Sequence, residues 1–380
     1  DFEQSRKKWH PYLPRSKMVE AIKNTHEIAD MIKATIPIGQ HQLPKFPLKS
    51  HPLYEKGFTA EDLFRKMVNI GFDTVVKPRI PKSKIKEYQE RIDFEFETIK
   101  KANFIDYFLI IEDIVRWARL NGIHCIARGS VAGSIVAYAI DITGIDPIVY
   151  NLLFERFLNP TRVSGERAKA ADALPDIDLD FERFGRGRVK KYIVDKYGKD
   201  RVLTIGSYGT MGVKMLVKDF AKVLDYKIGD NEYDYQIINK ITSSVDMAAK
   251  TIEEACESSE EFNKFYQENK GWFEIYVRPL QGQIKSSSKH AAGVLITPTE
   301  FTKWVPVRTQ IIENDEDETE KMVISQWEDV YCERRGLLKL DVLGVKQLDV
   351  FHKCLDLIKK RHGIELNLAD IDIKDKNVYK

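Results

Sequence analysis

The chain has 380 residues, 43% hydrophobic and 11% aromatic, enough to fill a sizeable core divided between two or three domains and too apolar for an intrinsically disordered chain. Its 60 Lys and Arg nearly cancel its 58 Asp and Glu, so a net charge of +2 gives no global pull on a polyanion, and any such affinity has to come from local patches. The cysteines Cys125, Cys256, Cys332 and Cys354 form no CxxC pair, and no stretch of eighteen apolar residues occurs, so zinc-ribbon, disulfide-framework, secreted and membrane classes are excluded and a reduced, cytoplasmic setting is expected. Without a leading Met, the chain reads as a piece of something longer.

In chain order, Met18, Ala21, Ile22, Ile28, Met31 and Ile32 recur at helical spacing and predict a short helix over 17–32, followed by a proline-rich extended linker around Pro44 and Pro47. Further helices are predicted over 60–70, along the stripe Ile85, Tyr88, Ile92, Phe96 and Ile99, and over 107–120. Beyond Gly122 the texture changes to short apolar strands and glycine turns, with a small-residue helix over 131–140, which predicts a mixed α/β layer. Residues from about 212 to 276 return to helical patterns, and strand-like runs reappear at 293–296 and 337–343, so a helical insertion interrupts one α/β domain. The acidic run 313–320 reads as a solvated loop.

The segment Asp176-Ile177-Asp178-Leu179-Asp180-Phe181 alternates acid with large apolar residue. On a strand of period two, the three acids share one face, about 7 Å apart, and repel one another unless something cationic joins them. An EF-hand does not fit, because Phe181 stands where the loop needs glycine and Gly187 where it needs a bidentate acid. Two readings stand: an exposed strand face that tolerates its charges, or carboxylates on a rigid strand that hold Mg2+ as in two-metal phosphoryl transfer. The second needs a carboxylate from another element; Asp341, on one face with Lys339 in the run 337–343, is a candidate, although a KxD pair is equally an incidental surface feature.

Two other segments carry anion chemistry. Arg128-Gly129-Ser130-Val131-Ala132-Gly133-Ser134 follows an apolar strand and opens a helix, so it is either a tight turn with a serine cap or a turn whose backbone N–H groups hold phosphate; it has neither the Walker lysine nor the GxGxxG spacing. Lys214, Lys218 and Lys222 recur every fourth residue opposite Val213, Leu216, Val217 and Phe220, a ladder suited to DNA backbone phosphates or else a solvated helix face.

In this order the segments resemble the bacterial replicative DNA polymerases of family C, the α subunits of DNA polymerase III and their phage-encoded relatives. The resemblance is carried by Arg128 to Tyr138, Asp146-Pro147, Leu153-Phe154-Glu155-Arg156-Phe157, the alternating acids, Tyr197-Gly198, Gly209-Thr210-Met211, Lys289-His290-Ala291-Ala292-Gly293 and Leu337-Leu338-Lys339-Leu340-Asp341. It implies a polymerase-β-like nucleotidyltransferase palm with a mixed sheet, over 55–207 and 290–346, interrupted by a helical thumb over 208–289. The tail of a PHP domain would occupy 1–54 and the start of the fingers 347–380. By the same resemblance Asp176, Asp178 and Asp341 are the catalytic, metal-holding aspartates for two Mg2+ ions, with Asp180 outside the set. Gly129, Ser130, Lys289, His290 and Lys339 contact the incoming dNTP, and Lys214, Lys218 and Lys222 contact primer-template DNA; a sliding clamp would be met through other regions. Over 165–174 this sequence is longer than the family pattern. Two rival readings are a template-independent nucleotidyltransferase and a non-catalytic DNA-binding or assembly module on a palm scaffold.

Overall fold

A computed structural model describes residues 7–8, 10–159, 176–313, 319–366 and 375–377 together with Gln4 and Ile371. The expected insertion over 165–174 and the centre of the acidic run, 314–318, lie outside the described residues. Two compact units are present, Asp1–Ile38 and Gly39–Lys380. The first contains helix α1 (Arg15–Met31), which buries none of its side chains and leaves Ile22, Ile28 and Met31 exposed.

The second unit begins its helices with α2 (Ala60–Gly71), closed at its start by a reciprocal cap in which the Asp62 N–H donates to Thr59 and the Thr59 N–H donates to the Asp62 carboxylate at 2.9 Å. Leu63, Phe64, Met67 and Val68, three and four residues apart, turn one side of it into the core. Helix α3 (Ile85–Lys101) buries Tyr88, Ile92, Phe96 and Ile99, the stripe legible in the sequence. Helix α4 (Ile105–Leu120) is apolar on nearly every side from Tyr107 to Val115 and is buried accordingly, so it forms the centre of this layer.

Strand β1 (Cys125–Arg128) ends at Gly129, whose φ of 90° and ψ of −150° suit glycine alone. The chain then makes a 3-10 turn (Ser130–Gly133) and a five-residue helix, α5 (Ile135–Ala139). The single small-residue helix expected over 131–140 is thus divided at Ser134, whose hydroxyl accepts from the Ala137 N–H and restarts the helix. Strand β2 (Asp178–Phe181) leads into α6 (Arg183–Tyr197), and β3 (Val202–Thr210) leads into the helical insertion: α7 (Val213–Val223), a two-stranded hairpin of β4 (Lys227–Ile228) and β5 (Asn231–Glu232), α8 (Tyr235–Ser243), α9 (Ile252–Ser258) and α10 (Glu260–Glu268). Strand β6 (Ile284–Ile296) returns to the sheet, followed by β7 (Val307–Glu313), β8 (Thr319–Ser325), α11 (Asp329–Arg334), β9 (Leu338–Gly344) and α12 (Lys346–His362).

The seven-stranded sheet runs β1-β2-β9-β6-β3-β8-β7; β2 pairs with β9 and β3 with β8 in parallel, the other neighbours antiparallel. This is the mixed α/β class expected from the sequence. Leu338, Leu340 and Val342 face the large core with Leu179, Phe181 and the helices, while the alternate residues Lys339 and Asp341 lie on the other face, where Leu203, Ile205, Leu295 and Cys332 make a smaller core. The helical insertion has a third core, with Val217, Phe262, Phe265, Trp272 and Phe273. The two chain crossings into the insertion bond to each other: the Met211 N–H donates to the Gln283 carbonyl and the Gly282 N–H to the Met211 carbonyl, both at 2.9 Å.

Glu313 ends β7 and Thr319 begins β8, so the two ends of the acidic run 313–320 belong to paired strands. One expectation changes here. Asp176 and Ile177 precede β2 and are not strand residues, because the partner strand β1 ends at Arg128, opposite Asp178, and Gly129 turns away. Among the described residues no helix is long and apolar enough to cross a membrane.

Candidate metal and nucleotide site

The parallel pairing of β2 with β9 sets Asp178 directly opposite Asp341, and a period of two then directs both side chains to the same face. Asp176, just ahead of the strand, joins them: one carboxylate oxygen from each of Asp176, Asp178 and Asp341 lies within 4.8 Å of the others. Acids distant in the sequence therefore meet because one strand register brings them together. Asp176 is exposed, the other two half-buried.

The electrostatics are those of an anion cluster short of positive charge. Although Asp176 is open to solvent on one side, partial desolvation by the surrounding protein and then the neighbouring charges of Asp178 and Asp341 hold its carboxyl above the ordinary range. One oxygen of Asp341, Oδ1, is buried and accepts no hydrogen bond. Its other oxygen lies 3.3 Å from the Lys339 amine, which also reaches Glu333 at 3.3 Å and Asp329 at 3.6 Å on α11. Burial pulls Lys339 down, but the carboxylates of Asp341 and Glu333 outweigh it and keep the ammonium above the usual lysine value. A single lysine divided among three acids does not neutralise the site. The donor set, hard oxygens with a buried lone pair unused, fits a divalent cation such as Mg2+.

Beneath the acids lies Tyr107 of α4, fully buried, its hydroxyl against the Ile177 backbone N–H. Burial foremost, then the charge of Asp176, raises that phenol well above its ordinary value. Nothing in the sequence distinguishes Tyr107 from an ordinary core aromatic of a helical stripe.

Gly129 and Ser130 sit beside the acids, both exposed. A Cβ built on Gly129 would stand 3.6 Å from Asp178 Oδ2, so the turn passes directly over that carboxylate. Arg128 faces Asp178 across β1 and β2 yet makes a two-pronged pair with Asp180, Nε to Oδ2 at 2.8 Å and Nη2 to Oδ1 at 3.3 Å. Asp180 is thus occupied by an arginine and stands apart from the other acids, a partnership that alternation alone does not reveal. On β6, Gly293 pairs with Asp341, and the preceding residues bulge. His290 shapes that bulge, its Nδ1 accepting from the Gly293 N–H at 2.7 Å and the Ala292 N–H at 3.3 Å; Lys289 pairs with Gly206 of β3.

The lysine ladder lies on α7, in the insertion. Lys214 donates to the Val245 carbonyl and Lys218 to Asn239 Oδ1, each at 2.8 Å, while Lys222 is exposed. Two rungs therefore brace the insertion and one extends into solvent.

Residues 62–344 match the family described as the bacterial DNA polymerase III alpha NTPase domain. The chain is 33% identical over 379 residues to the DNA polymerase III subunit alpha of Pseudomonas fluorescens, covering 96% of this chain and 30% of that protein. It is 34% identical over 376 residues to the corresponding subunit of Campylobacter jejuni and 32% identical over 374 residues to that of Escherichia coli K12, in each case over 95% of this chain and 30% of the relative. The chain spans about 30% of the length of these relatives.

Proposed function

Because the chain belongs to the family of the bacterial DNA polymerase III alpha NTPase domain, we propose that it is the nucleotidyl-transfer portion of a replicative DNA polymerase, adding a dNTP to a primer 3′-hydroxyl under template direction. The observation that carries this reading is the convergence of Asp176, Asp178 and Asp341 within 4.8 Å, with Asp341 Oδ1 buried and unused. In this reading 55–207 and 290–346 form the palm, 208–289 the thumb, 1–54 the end of a PHP domain and 347–380 the entry to the fingers.

Asp176, Asp178 and Asp341 would hold the Mg2+ ions, which when bound supply charge neutralisation of the triphosphate and a lowered pKa at the primer hydroxyl. The remaining work belongs to the chain's own groups. Gly129, without a side chain above Asp178, would let the triphosphate approach, and the exposed Ser130 would supply N–H and hydroxyl donors to it. Lys339 sets a positive charge beside Asp341 and offsets charge that develops on the phosphate oxygens. Lys289 and the His290 bulge border the same strand pair. Of the ladder Lys214, Lys218 and Lys222, the exposed Lys222 would follow the duplex backbone, while Lys214 and Lys218 hold α7 in place through Val245 and Asn239.

The test is dNTP binding to the chain by calorimetry, in Mg2+ and in EDTA. Binding should require Mg2+ and be lost in Asp178→Asn and Asp341→Asn. Affinity that is equal in EDTA, or untouched by both substitutions, overturns the assignment.

A further inference from the structure

Glu95 of α3 is completely buried and paired with Arg91 one turn before it. Its Oε2 accepts from the Ser134 hydroxyl at 2.8 Å and the Val136 N–H at 3.2 Å, and its Oε1 accepts from Arg91 Nε at 2.7 Å. Arg91 Nη2 also reaches the Gly133 carbonyl at 3.4 Å. Desolvation of a carboxylate is costly, and burial raises the Glu95 carboxyl above its ordinary value in spite of these partners. Helix capping accounts for part of this arrangement only: the Ser134 hydroxyl caps α5 through Ala137 and Glu95 takes the first-turn Val136 N–H, but Arg91 and its bond to the Gly133 carbonyl lie outside the cap.

What the pair does beyond capping is fasten consecutive parts of one turn to α3: the Gly133 carbonyl through Arg91, and the Ser134 hydroxyl and Val136 N–H through Glu95. From the other side Gly133 lies against the Leu153 carbonyl, so close that a Cβ would come within 2.7 Å of its oxygen. Only the short 3-10 turn separates this fixed end from Gly129, which lies over Asp178. A rotation at Ser134 is therefore passed on to the N–H groups beside the acids, where misplacement by about 1 Å is already costly.

We propose that Arg91 and Glu95 are positioning residues that set the phosphate-facing turn in register with Asp178, and that they govern affinity for the triphosphate without touching it. The inference rests on the reading of Gly129 and Ser130 as the triphosphate turn. Loss of the charge in Glu95→Gln removes the anion that both the turn and Arg91 require.

The experiment measures three quantities on the chain: dNTP affinity in Mg2+, the Mg2+-induced rise in unfolding temperature, and amide hydrogen exchange over 129–136. Glu95→Gln should weaken dNTP binding roughly tenfold and speed exchange over 129–136 while keeping the metal-induced rise. Arg91→Met should act in the same direction with the Glu95 side chain unaltered. Arg65→Gln, which breaks the pairs to Asp93 and Glu97 on the same helix, serves as the control for general loosening of α3 and should leave dNTP affinity unchanged. Equal dNTP affinity in the unsubstituted chain and Glu95→Gln, or a loss as large in Arg65→Gln, overturns the positioning role. Failure of the unsubstituted chain to bind dNTP at all overturns the site reading instead.

Discussion

At the scale of the residue, the acids trade stability for readiness to take up cations. Asp176 is less willing to ionise in the folded chain than in the unfolded one, because of partial desolvation and then of Asp178 and Asp341. The sign follows: this cost is absent at low pH, where the carboxyl is protonated in both states, and grows as pH rises from the ordinary carboxylate value through the raised one. Asp176→Asn should therefore raise the unfolding temperature in EDTA at neutral pH, and the advantage should fade on acidification. Mg2+ should stabilise the unsubstituted chain and not the variant; scanning calorimetry at two pH values checks both. The alternating acids and the KxD pair were legible because side-chain chemistry at fixed spacing is written in the sequence. The bond of Asp180 to Arg128, the braced state of Lys339 and the place of Tyr107 beneath Ile177 were not, since each depends on a neighbour supplied by another element.

At the scale of the element, periodic helices were read closely and strands were not. Helices α2, α3 and α4 fall within a few residues of their apolar stripes. The first half of β6, Ile284-Lys285-Ser286-Ser287-Ser288-Lys289, has no apolar alternation, and it is a strand because β3 pairs with it. The pairing of β7 with β8 was hidden for a related reason: it is set by register between the two strands. The lysine ladder shows the same limit, since helical spacing places three lysines on one side but does not say that Val245 and Asn239 engage two of them. Lys222→Ala should reduce the salt dependence of duplex binding by about one unit of slope with little change in stability. Lys218→Ala should cost about 1 kcal/mol of stability by loss of its bond to Asn239. Salt titrations of DNA binding and chemical denaturation of each variant separate the two effects.

At the scale of the whole molecule, the helical insertion is a side branch with its own core, and its entry and exit strands are bonded to each other at Met211, Gly282 and Gln283. Excision of 212–282, with a short glycine-serine bridge between the remaining ends, should leave the sheet folded and preserve Mg2+-induced stabilisation, because Asp176, Asp178 and Asp341 all lie outside the excised part. Duplex affinity should fall with the loss of α7. Circular dichroism, thermal shift with Mg2+ and DNA titration on the excised chain examine the three claims; loss of the metal response would mean that the insertion supports the acids from a distance.

The parallel pairing of Asp178 with Asp341 also imposes an order in time. A polypeptide leaving a ribosome exposes its turn, its alternating acids and all of the inserted helices before β9 exists, so the long-range strand docking that joins the acids comes after them and is slow. Nascent chains halted before Leu338 would carry folded helices without the third carboxylate of the cation site, and metal uptake would mark the arrival of β9 in the sheet.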